Sequence, residues 1–298
     1  MINVKTFGLA SATLTPFRAD GSIDVDLLMA HTDWLLDNGC DWISLFGTTG
    51  EGPSVHQSER QRAIAFLNDH GFDFSKCVMG VSASAAGDVA GQIEAAHAVG
   101  CTTFLVPPAY YFKGLSQDGV AAWYRPILRR MDELGCQAIL YHIPQVTLVE
   151  LSMDLLRTLH TEFPNVVAGV KDSAGDMKTT EAFLTIDGLS VLVGDERLLA
   201  DGCAKGAVGS ISGLANLVPG LLQDMIRTGQ QNDAISALVD EVVSHPVTPA
   251  LKAVMAHVSE VPSWLNAAPP FVPLGSDDAQ SVITCYRSVM EGNSAGGK

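Results

Sequence analysis

Short apolar runs alternate with longer segments of helical spacing along most of the chain. Eight of these runs have the length and composition of buried strands. The predicted strands are Leu9–Pro16, Asp41–Gly47, Cys77–Ser82, Thr103–Pro107, Ala138–Ile143, Val167–Lys171, Ser190–Val193 and Ala207–Ile211. Helices are predicted between them at Asp24–Asn38, Gln57–Asp69, Asp88–Val99, Gln117–Leu134, Ser152–Glu162, Met177–Thr185 and Arg197–Ala204. No GxGxxG follows the first strand, so the alternation predicts an α/β fold of the TIM (β/α)8 barrel type rather than an open doubly wound sheet.

The barrel is predicted to end well before the chain does. Further helix-like segments follow the eighth strand, and the first of them completes the eighth strand–helix unit. These segments cover Leu217–Thr228, Asn232–Ser244, Thr248–Ser259 and Asp277–Glu291. We therefore expect a barrel over residues 1–228 and a C-terminal helical extension over residues 229–298 that packs on the barrel as part of one structural unit.

Composition argues against several classes of function. The 33 acidic residues outnumber the 18 basic ones and give a formal charge of −15, which disfavours binding to nucleic acid or to an anionic membrane. The six cysteines show no CxxC and no metal-ligand spacing, so we expect reduced thiols in the core. No apolar run approaches the roughly 20 residues that span a bilayer, and the N-terminus lacks the apolar core of a signal peptide. These features predict a cytoplasmic protein.

Lys171 closes the apolar run Val166–Val170, which otherwise has the pattern of a strand buried on both faces. The other lysines stand at positions where an amine is expected to be solvated. They are Lys5, Lys76, Lys113, Lys178, Lys205, Lys252 and Lys298. Burial disfavours the ammonium form of an amine, and a neutral amine can attack a carbonyl carbon to form a Schiff base. The alternative is a strand-end lysine that reaches water or pairs with Asp172.

Two further strand ends carry groups that suit this chemistry. The turn Gly47–Gly52 offers closely spaced backbone N–H groups and the hydroxyls of Thr48 and Thr49, and it lacks the Lys-Ser/Thr of a nucleotide phosphate loop. A small carboxylate fits such a turn, although an ordinary glycine-rich connection has the same pattern. Tyr141 ends the fifth strand, where its phenol could carry protons for Lys171. The alternative is a buried tyrosine whose hydroxyl only bonds a carbonyl.

The remaining strand ends carry further polar groups. Asp195 and Glu196 could form a metal pair, but the other ends offer mostly Thr, Tyr, Ser and Gly, so we expect no metal ion and favour contacts to hydroxyls of a sugar-like substrate. His142 alternates with Tyr141 along its strand and is expected to point to the opposite side, in a structural role. Other strand-end residues join the predicted site. They are Gly47, Tyr110, Tyr111, Ser173, Ile211 and Ser212.

Taken in order, these motifs resemble the dihydrodipicolinate synthase/N-acetylneuraminate lyase family of pyruvate-dependent class I aldolases. The resemblance covers nearly the whole chain. The matching segments are Thr15-Pro16-Phe17, Gly47–Glu51, Pro107–Tyr111, Leu140–Pro144 and Gly169–Ser173. The resemblance implies a TIM barrel with a C-terminal helical extension, usually assembled as a homotetramer, and no cofactor beyond a covalent lysine Schiff base with the substrate.

The resemblance also implies a role for each matched residue. Lys171 matches the lysine that forms the Schiff base with pyruvate or another 2-oxo acid. Tyr141 matches the tyrosine that shuttles protons. Thr48 and Thr49 match the threonines that hold the carboxylate of the 2-oxo acid.

Two departures concern the second substrate. In the dihydrodipicolinate synthases, an arginine in the fifth-strand motif binds the carboxylate of that substrate, whereas Val146 stands at this position here. A neutral side chain cannot supply that contact. The loop after Pro108 is also longer by one residue, so either Tyr110 or Tyr111 matches the tyrosine that reaches across the dimer in this family.

The residues for the second substrate favour a sugar-acid enzyme. Asp195, Glu196 and Ser212 keep the order and spacing of residues that contact sugar hydroxyls in N-acetylneuraminate lyase, and Lys171–Ser173 resembles the 2-keto-3-deoxy sugar acid aldolases. We therefore predict a lyase that reversibly cleaves a 2-oxo-3-deoxy (sugar) acid to pyruvate and an aldehyde. The alternatives are a dihydrodipicolinate synthase that condenses pyruvate with aspartate semialdehyde, a Schiff-base 2-oxo acid dehydratase, and a non-catalytic relative that binds 2-oxo acids.

Overall fold

The strands form one closed parallel barrel. The computed structural model describes residues 6–296, with side chains as far as residue 292, so Lys5 and Lys298 lie outside the described residues. The strands are β1 (Gly8–Ala12), β2 (Trp42–Ser44), β3 (Val78–Gly80), β4 (Thr103–Val106), β5 (Gln137–His142), β6 (Val167–Asp172), β7 (Ser190–Val193) and β8 (Gly209–Ser212). They pair in the order β2-β1-β8-β7-β6-β5-β4-β3, and a bridge between Ile43 and Cys77 joins β2 to β3. The predicted TIM barrel is confirmed.

Helices connect the strands. They are α1 (Val25–Asp37), α2 (Gln57–Asp69), α3 (Ala86–His97), α4 (Gln117–Leu134), α5 (Pro144–Thr147), α6 (Met153–Glu162), α7 (Met177–Leu184), α8 (Leu199–Ala204) and α9 (Pro219–Thr228). Several begin at a side chain that accepts a hydrogen bond from a free amide of the first turn, as Asp24, Ser116 and Ser152 do. The sequence pattern does not predict α5, because four residues are too few to show a helical period.

Strands β1 and β2 end earlier than predicted. They stop at Ala12 and Ser44, several residues before the expected ends at Pro16 and Gly47. Phe46 has a φ of 56°, so the backbone leaves the extended conformation there despite the apolar sequence. The turn that carries the two threonines therefore begins inside the predicted strand.

The apolar core has two layers, because neighbouring residues of a strand point to opposite faces of the barrel wall. An inner layer fills the barrel and includes Leu105, Ile139 and Tyr141. An outer layer lies between the strands and the helices, and Val170 of β6 belongs to it. Lys171 follows Val170 and pairs in register with Tyr141, so its side chain is directed into the barrel.

Beyond α9 the chain continues through α10 (Asp233–Val243), α11 (Val247–Ser259) and α12 (Ser276–Gly296). α11 buries Leu251 and Val254 in the outer core layer. Trp264 follows α11, and its ring meets the imidazole of His31 from α1 edge-on at 5.0 Å between centroids. The extension therefore shares its core with the barrel. In the part of the chain that the structure describes, no helix is long and apolar enough to cross a membrane.

The extension contains a second buried lysine. The expectation that Lys252 is solvated is wrong, because its side chain is 1% exposed. Its ammonium forms an ion pair with the carboxylate of Glu51 and donates a hydrogen bond to the carbonyl of Asn266 at 2.7 Å. These partners offset the loss of hydration. The helical pattern around Lys252 contains no sign of the pairing, because Glu51 belongs to the turn after β2.

Candidate active site

Lys171 lies near the carboxyl end of β6 and is 5% exposed. Its Nζ stands 4.5 Å from the centroid of the Tyr141 ring. Among the described residues, no carboxylate forms an ion pair with it. The carboxylate of Asp172 instead accepts hydrogen bonds from the Thr180 hydroxyl at 2.7 Å and the Ala174 amide at 3.0 Å. The pairing of Lys171 with Asp172 is therefore absent, and the amine faces the barrel interior without a counter-ion.

Tyr141 and Ser173 form a small polar group beside the amine. The hydroxyl of Ser173 donates to the phenolic oxygen of Tyr141 at 3.5 Å, and the Ser173 amide donates to the carbonyl of His142 at 2.9 Å. The Tyr141 hydroxyl does not bond a backbone carbonyl within residues 6–296, so the purely structural alternative lacks its expected contact. A phenol in this position is suited to proton transfer next to Lys171.

His142 points away from this group, as predicted. Its Nδ1 accepts a hydrogen bond from the Leu151 amide at 3.1 Å, and its ring meets Phe183 edge-on at 5.3 Å. Burial lowers the pKa of His142, and the nearby Asp172 carboxylate opposes that change. His142 therefore stabilises the loop after β5.

The turn Gly47–Gly52 is wound tightly against the strands. The amide of Gly52 donates to the carbonyl of Gly47 at 3.0 Å, and the Glu51 amide donates to that of Thr48 at 3.0 Å. Position 52 requires glycine, because a Cβ there would stand 1.8 Å from the carbonyl oxygen of Phe46. The tight winding fixes the position of the two threonines that follow Gly47.

Thr48 and Thr49 retain free hydrogen-bond donors. In the described structure neither their amides nor their hydroxyls donate to a protein group, and both residues line the same cavity as Lys171. Adjacent N–H and O–H donors of this kind suit a small carboxylate. The turn thus has the donors that the sequence predicts for a carboxylate site.

The acidic residues after β7 already have partners. Asp195 accepts hydrogen bonds from Arg197 at 2.6 and 3.0 Å, and Arg197 also pairs with Asp240 of α10 at 2.7 Å. Glu196 accepts from the Ser212 hydroxyl, and burial raises the pKa of Glu196. The predicted set of Asp195, Glu196 and Ser212 is thus brought together, but its members mainly bond protein groups.

A cavity of about 540 Å³ joins most of the predicted residues. Those that line it are Thr48, Thr49, Tyr141, Lys171, Ser173, Asp195 and Glu196. Gly47 lines a small adjoining pocket together with Thr48 and Tyr141. Ile211 lies in the inner core layer, and the hydroxyl of Ser212 is directed to Glu196.

Tyr110 and Tyr111 are not part of the cavity lining. The Tyr111 ring is 72% exposed and packs edge-on against Phe112 at 5.2 Å. The carbonyl of Tyr110 accepts a hydrogen bond from the Lys113 ammonium. Within one chain neither tyrosine lines the cavity that Lys171 faces, and a contribution from either to a neighbouring subunit stays a prediction.

Sequence reasoning missed one side of the cavity. Several apolar residues of α10, α11 and the segment after them line it, together with Val146 and Leu214. The residues from the extension are Val239, Val242, Val243, Val247, Leu251 and Phe271. No motif marks the positions in the extension, because valines on a helix carry no chemistry of their own, whereas Val146 stands at a motif position. Residues 6–292 contain no cluster of three His, Cys, Asp or Glu side chains that could hold a metal ion.

The model of the Dihydrodipicolinate synthetase family matches residues 5–286. The chain belongs to the dihydrodipicolinate synthetase family. A DapA-like lyase of Chloroflexus aurantiacus is 30% identical over 294 residues, with 96% of this chain and 97% of that protein covered. A 4-hydroxy-tetrahydrodipicolinate synthase of Phocaeicola vulgatus is 28% identical over 240 residues, with 80% and 79% covered.

Two solved structures share the fold of the chain, and one of them is also similar in sequence. The dihydrodipicolinate synthase of Agrobacterium tumefaciens is 37% identical, with a TM-score of 0.92 over 95% of this chain and 99% of that one. A 2-keto 3-deoxygluconate aldolase of Picrophilus torridus shares the fold, with a TM-score of 0.79, 24% identity and 90% and 98% covered. The chain is therefore a carbon–carbon lyase of the dihydrodipicolinate synthetase family.

Proposed function

We propose that this family member forms a Schiff base between Lys171 and the carbonyl carbon of a 2-oxo acid. The observation that carries the proposal is the buried amine of Lys171, which faces a cavity without a carboxylate partner. The free donors of Thr48 and Thr49 in the same cavity would hold the carboxylate of the 2-oxo acid. Holding that carboxylate would orient the adjacent carbonyl toward the amine.

The proposed reaction is the reversible cleavage of a 2-oxo-3-deoxy acid to pyruvate and an aldehyde. The amine of Lys171 adds to C2, and loss of water gives the protonated Schiff base. Tyr141 gives its phenolic proton to the departing water, and the resulting phenolate accepts the proton of the C4 hydroxyl. The C3–C4 bond then breaks, and its electron pair forms the enamine while the aldehyde leaves. Protonation of C3 and addition of water then release pyruvate and regenerate the amine.

A second candidate is the synthase reaction with aspartate semialdehyde, which the names of two relatives favour. Aspartate semialdehyde would bring a carboxylate in addition to that of pyruvate. Val146, which is 56% exposed at the edge of the cavity, offers no charge to bind it. Arg197 also lines the cavity, but both sides of its guanidinium are occupied by Asp195 and Asp240. We therefore favour the cleavage of a 2-oxo-3-deoxy acid.

Borohydride trapping tests the nucleophile directly. The protein is incubated with pyruvate, reduced with borohydride and digested, and the peptides are analysed by mass spectrometry. We expect a pyruvate adduct on Lys171 and none on the equally buried Lys252, whose amine is engaged by Glu51. Absence of an adduct from Lys171 would overturn the proposed function.

Substrate panels separate the two candidate reactions. Wild-type protein is supplied with pyruvate plus aspartate semialdehyde, and separately with 2-oxo-3-deoxy acids, while pyruvate consumption or release is followed. Turnover restricted to the semialdehyde would establish the second candidate instead of the first.

We also propose that the protein assembles as a homotetramer, in which Tyr110 or Tyr111 is contributed to the site of a neighbouring subunit. Analytical ultracentrifugation would test this assembly.

A further inference from the structure

One wall of the cavity is apolar and comes mostly from the C-terminal extension. We call it the apolar wall, and it consists of Val146, Val239, Val243, Val247, Leu251 and Phe271. Val243 at the end of α10 is 49% exposed and Val247 at the start of α11 is 39% exposed. Val243 and Val247 border the space that Lys171 faces, whereas Val239 and Leu251 line the cavity and also belong to the outer core layer.

Two hydrogen-bond donors beside this wall are already engaged. Arg197 forms three hydrogen bonds with the carboxylates of Asp195 and Asp240. The amide nitrogen of Gln145 donates to the carbonyl of Ser173 at 2.6 Å. A substrate hydroxyl placed against the apolar wall would lose its bonds to water and gain few in return.

The cavity is also larger than a pyruvate unit requires. Its volume of about 540 Å³ lies within the range of pockets that hold whole small molecules. With the 2-oxo acid carboxylate at Thr48 and Thr49 and the imine at Lys171, the remaining space belongs to the group carried by C4. The apolar wall lines this same cavity and is therefore available to that group.

We infer that the aldehyde half of the substrate carries an aliphatic or aromatic group that packs on the apolar wall. This inference rests on the proposed function and narrows it to 2-oxo-4-hydroxy acids with an apolar end. It differs from the sequence-based expectation of a sugar acid, which rested on the Lys171–Ser173 motif and on Asp195, Glu196 and Ser212, whose side chains bond protein groups in the structure.

A homologous series of aldehydes tests the inference. Pyruvate is condensed with propanal, butanal and pentanal, whose carbonyl groups have nearly equal intrinsic reactivity, and with D-glyceraldehyde, which has as many carbons as propanal. We expect kcat/KM to rise by about tenfold or more from propanal to pentanal, since a methylene group buried in an apolar pocket is worth at least that factor. We also expect propanal to exceed glyceraldehyde.

A matched pair of variants locates the effect. Val243→Ser places a hydroxyl on the apolar wall, and Val258→Ser makes the same change at a valine that is also 49% exposed but does not line the cavity. We expect V243S to flatten the dependence of kcat/KM on chain length. V258S is expected to keep the wild-type dependence.

The outcomes separate this inference from the proposed function. The apolar assignment is overturned if kcat/KM of the wild type stays flat or falls with chain length, or if V243S shows the same dependence as V258S. A borohydride adduct on Lys171 would leave the Schiff-base proposal intact in either case. Failure to trap any adduct on Lys171 removes both. A rising series that V243S alone flattens supports the inference.

Discussion

Lys171 and Lys252 are both buried lysines, 5% and 1% exposed, and they have opposite surroundings. Lys252 has a carboxylate partner in Glu51, a carbonyl partner in Asn266 and the ring of Phe17 4.6 Å away. Lys171 has the ring of Tyr141 at 4.5 Å and an open cavity. Burial by itself therefore does not identify a nucleophile, whereas a buried amine that lacks a carboxylate and faces a cavity is a candidate for one.

Lys252 contacts the turn that lines the cavity through its partner Glu51. Its partner Glu51 belongs to the turn that carries Thr48 and Thr49, and the other oxygen of Glu51 accepts a hydrogen bond from the Ala268 amide at 2.6 Å. Burial lowers the pKa of Lys252 and raises that of Glu51, because each charged form loses water, and their attraction opposes both changes. The ion pair thus holds the turn that carries Thr48 and Thr49 against the extension.

The largest expected effect comes from Lys171→Met. Methionine has a similar volume and no amine, so Schiff-base formation is lost, and we expect kcat to fall by at least about 10³-fold. The free energy of unfolding should change by less than about 1.5 kcal/mol, because the substitution conserves volume and breaks no ion pair. Pyruvate-release assays and urea unfolding measure the two quantities. Turnover retained by K171M would show that Lys171 is not the nucleophile, and the proposed contrast with Lys252 would fail.

Lys252→Met should have the opposite profile. It leaves the Glu51 carboxylate buried without its counter-ion, which costs about 3–5 kcal/mol of unfolding free energy. The double variant K252M/E51Q is the control, because removal of both charges should recover most of that loss. Urea unfolding of wild type, both single variants and the double variant gives the coupling energy. A K252M protein as stable as the wild type would show that the ion pair contributes little.

The fold was predictable from the sequence to a greater extent than the cavity. The eight strands are separate apolar runs with regular spacing, and each corresponds to an observed strand. Lys171, Tyr141 and the two threonines stand at strand ends, so the barrel topology itself brings them together. Their proximity follows from the strand pattern of the sequence and from the rule that the carboxyl ends of barrel strands lie at one face.

Features that depend on distant partners were not predictable. The pairing of Lys252 with Glu51 joins two segments that lie far apart in the sequence, and neither segment carries a sign of the other. The guanidinium of Arg197 bonds Asp195, its neighbour in the sequence, and also Asp240 of α10, which no local pattern reveals. The position of Val243 at the cavity depends on how α10 packs against the barrel. Such contacts are decided by tertiary packing rather than by local propensity.

Tyr141→Phe tests whether the phenol beside Lys171 transfers protons. The variant keeps the ring that packs against Lys171 and removes only the hydroxyl that Ser173 contacts. We expect kcat to fall by about 10²-fold, the lower range for loss of a general acid–base group, with a borohydride adduct still formed on Lys171. Ser173→Ala is the control, because it removes the bond to the phenol but keeps the phenol itself. A loss as large in S173A as in Y141F would contradict proton transfer by Tyr141.

The smallest expected effect concerns the structural side of the molecule, where His31 meets the ring of Trp264 close to the carbonyl partner of Lys252. Its Nε2 bonds Asn216 at 2.9 Å, and burial lowers the pKa of His31 from 6.5 to about 4. In the unfolded chain His31 is protonated below pH 6.5, whereas in the folded protein it stays neutral until about pH 4. The free energy of unfolding therefore falls as the pH decreases from 6.5 to about 4.

Between pH 7 and pH 5 the loss from His31 should be about 2 kcal/mol. Urea unfolding of wild type and His31→Gln at several pH values measures it, and the comparison concerns the slope with pH rather than the absolute stability. The decrease in unfolding free energy from pH 7 to pH 5 should be smaller in H31Q by that amount, because glutamine does not titrate. Trapping of pyruvate on Lys171 at neutral pH should be unaffected, since His31 lies outside the cavity lining. Equal slopes in the two proteins would show that His31 is not held neutral by its burial.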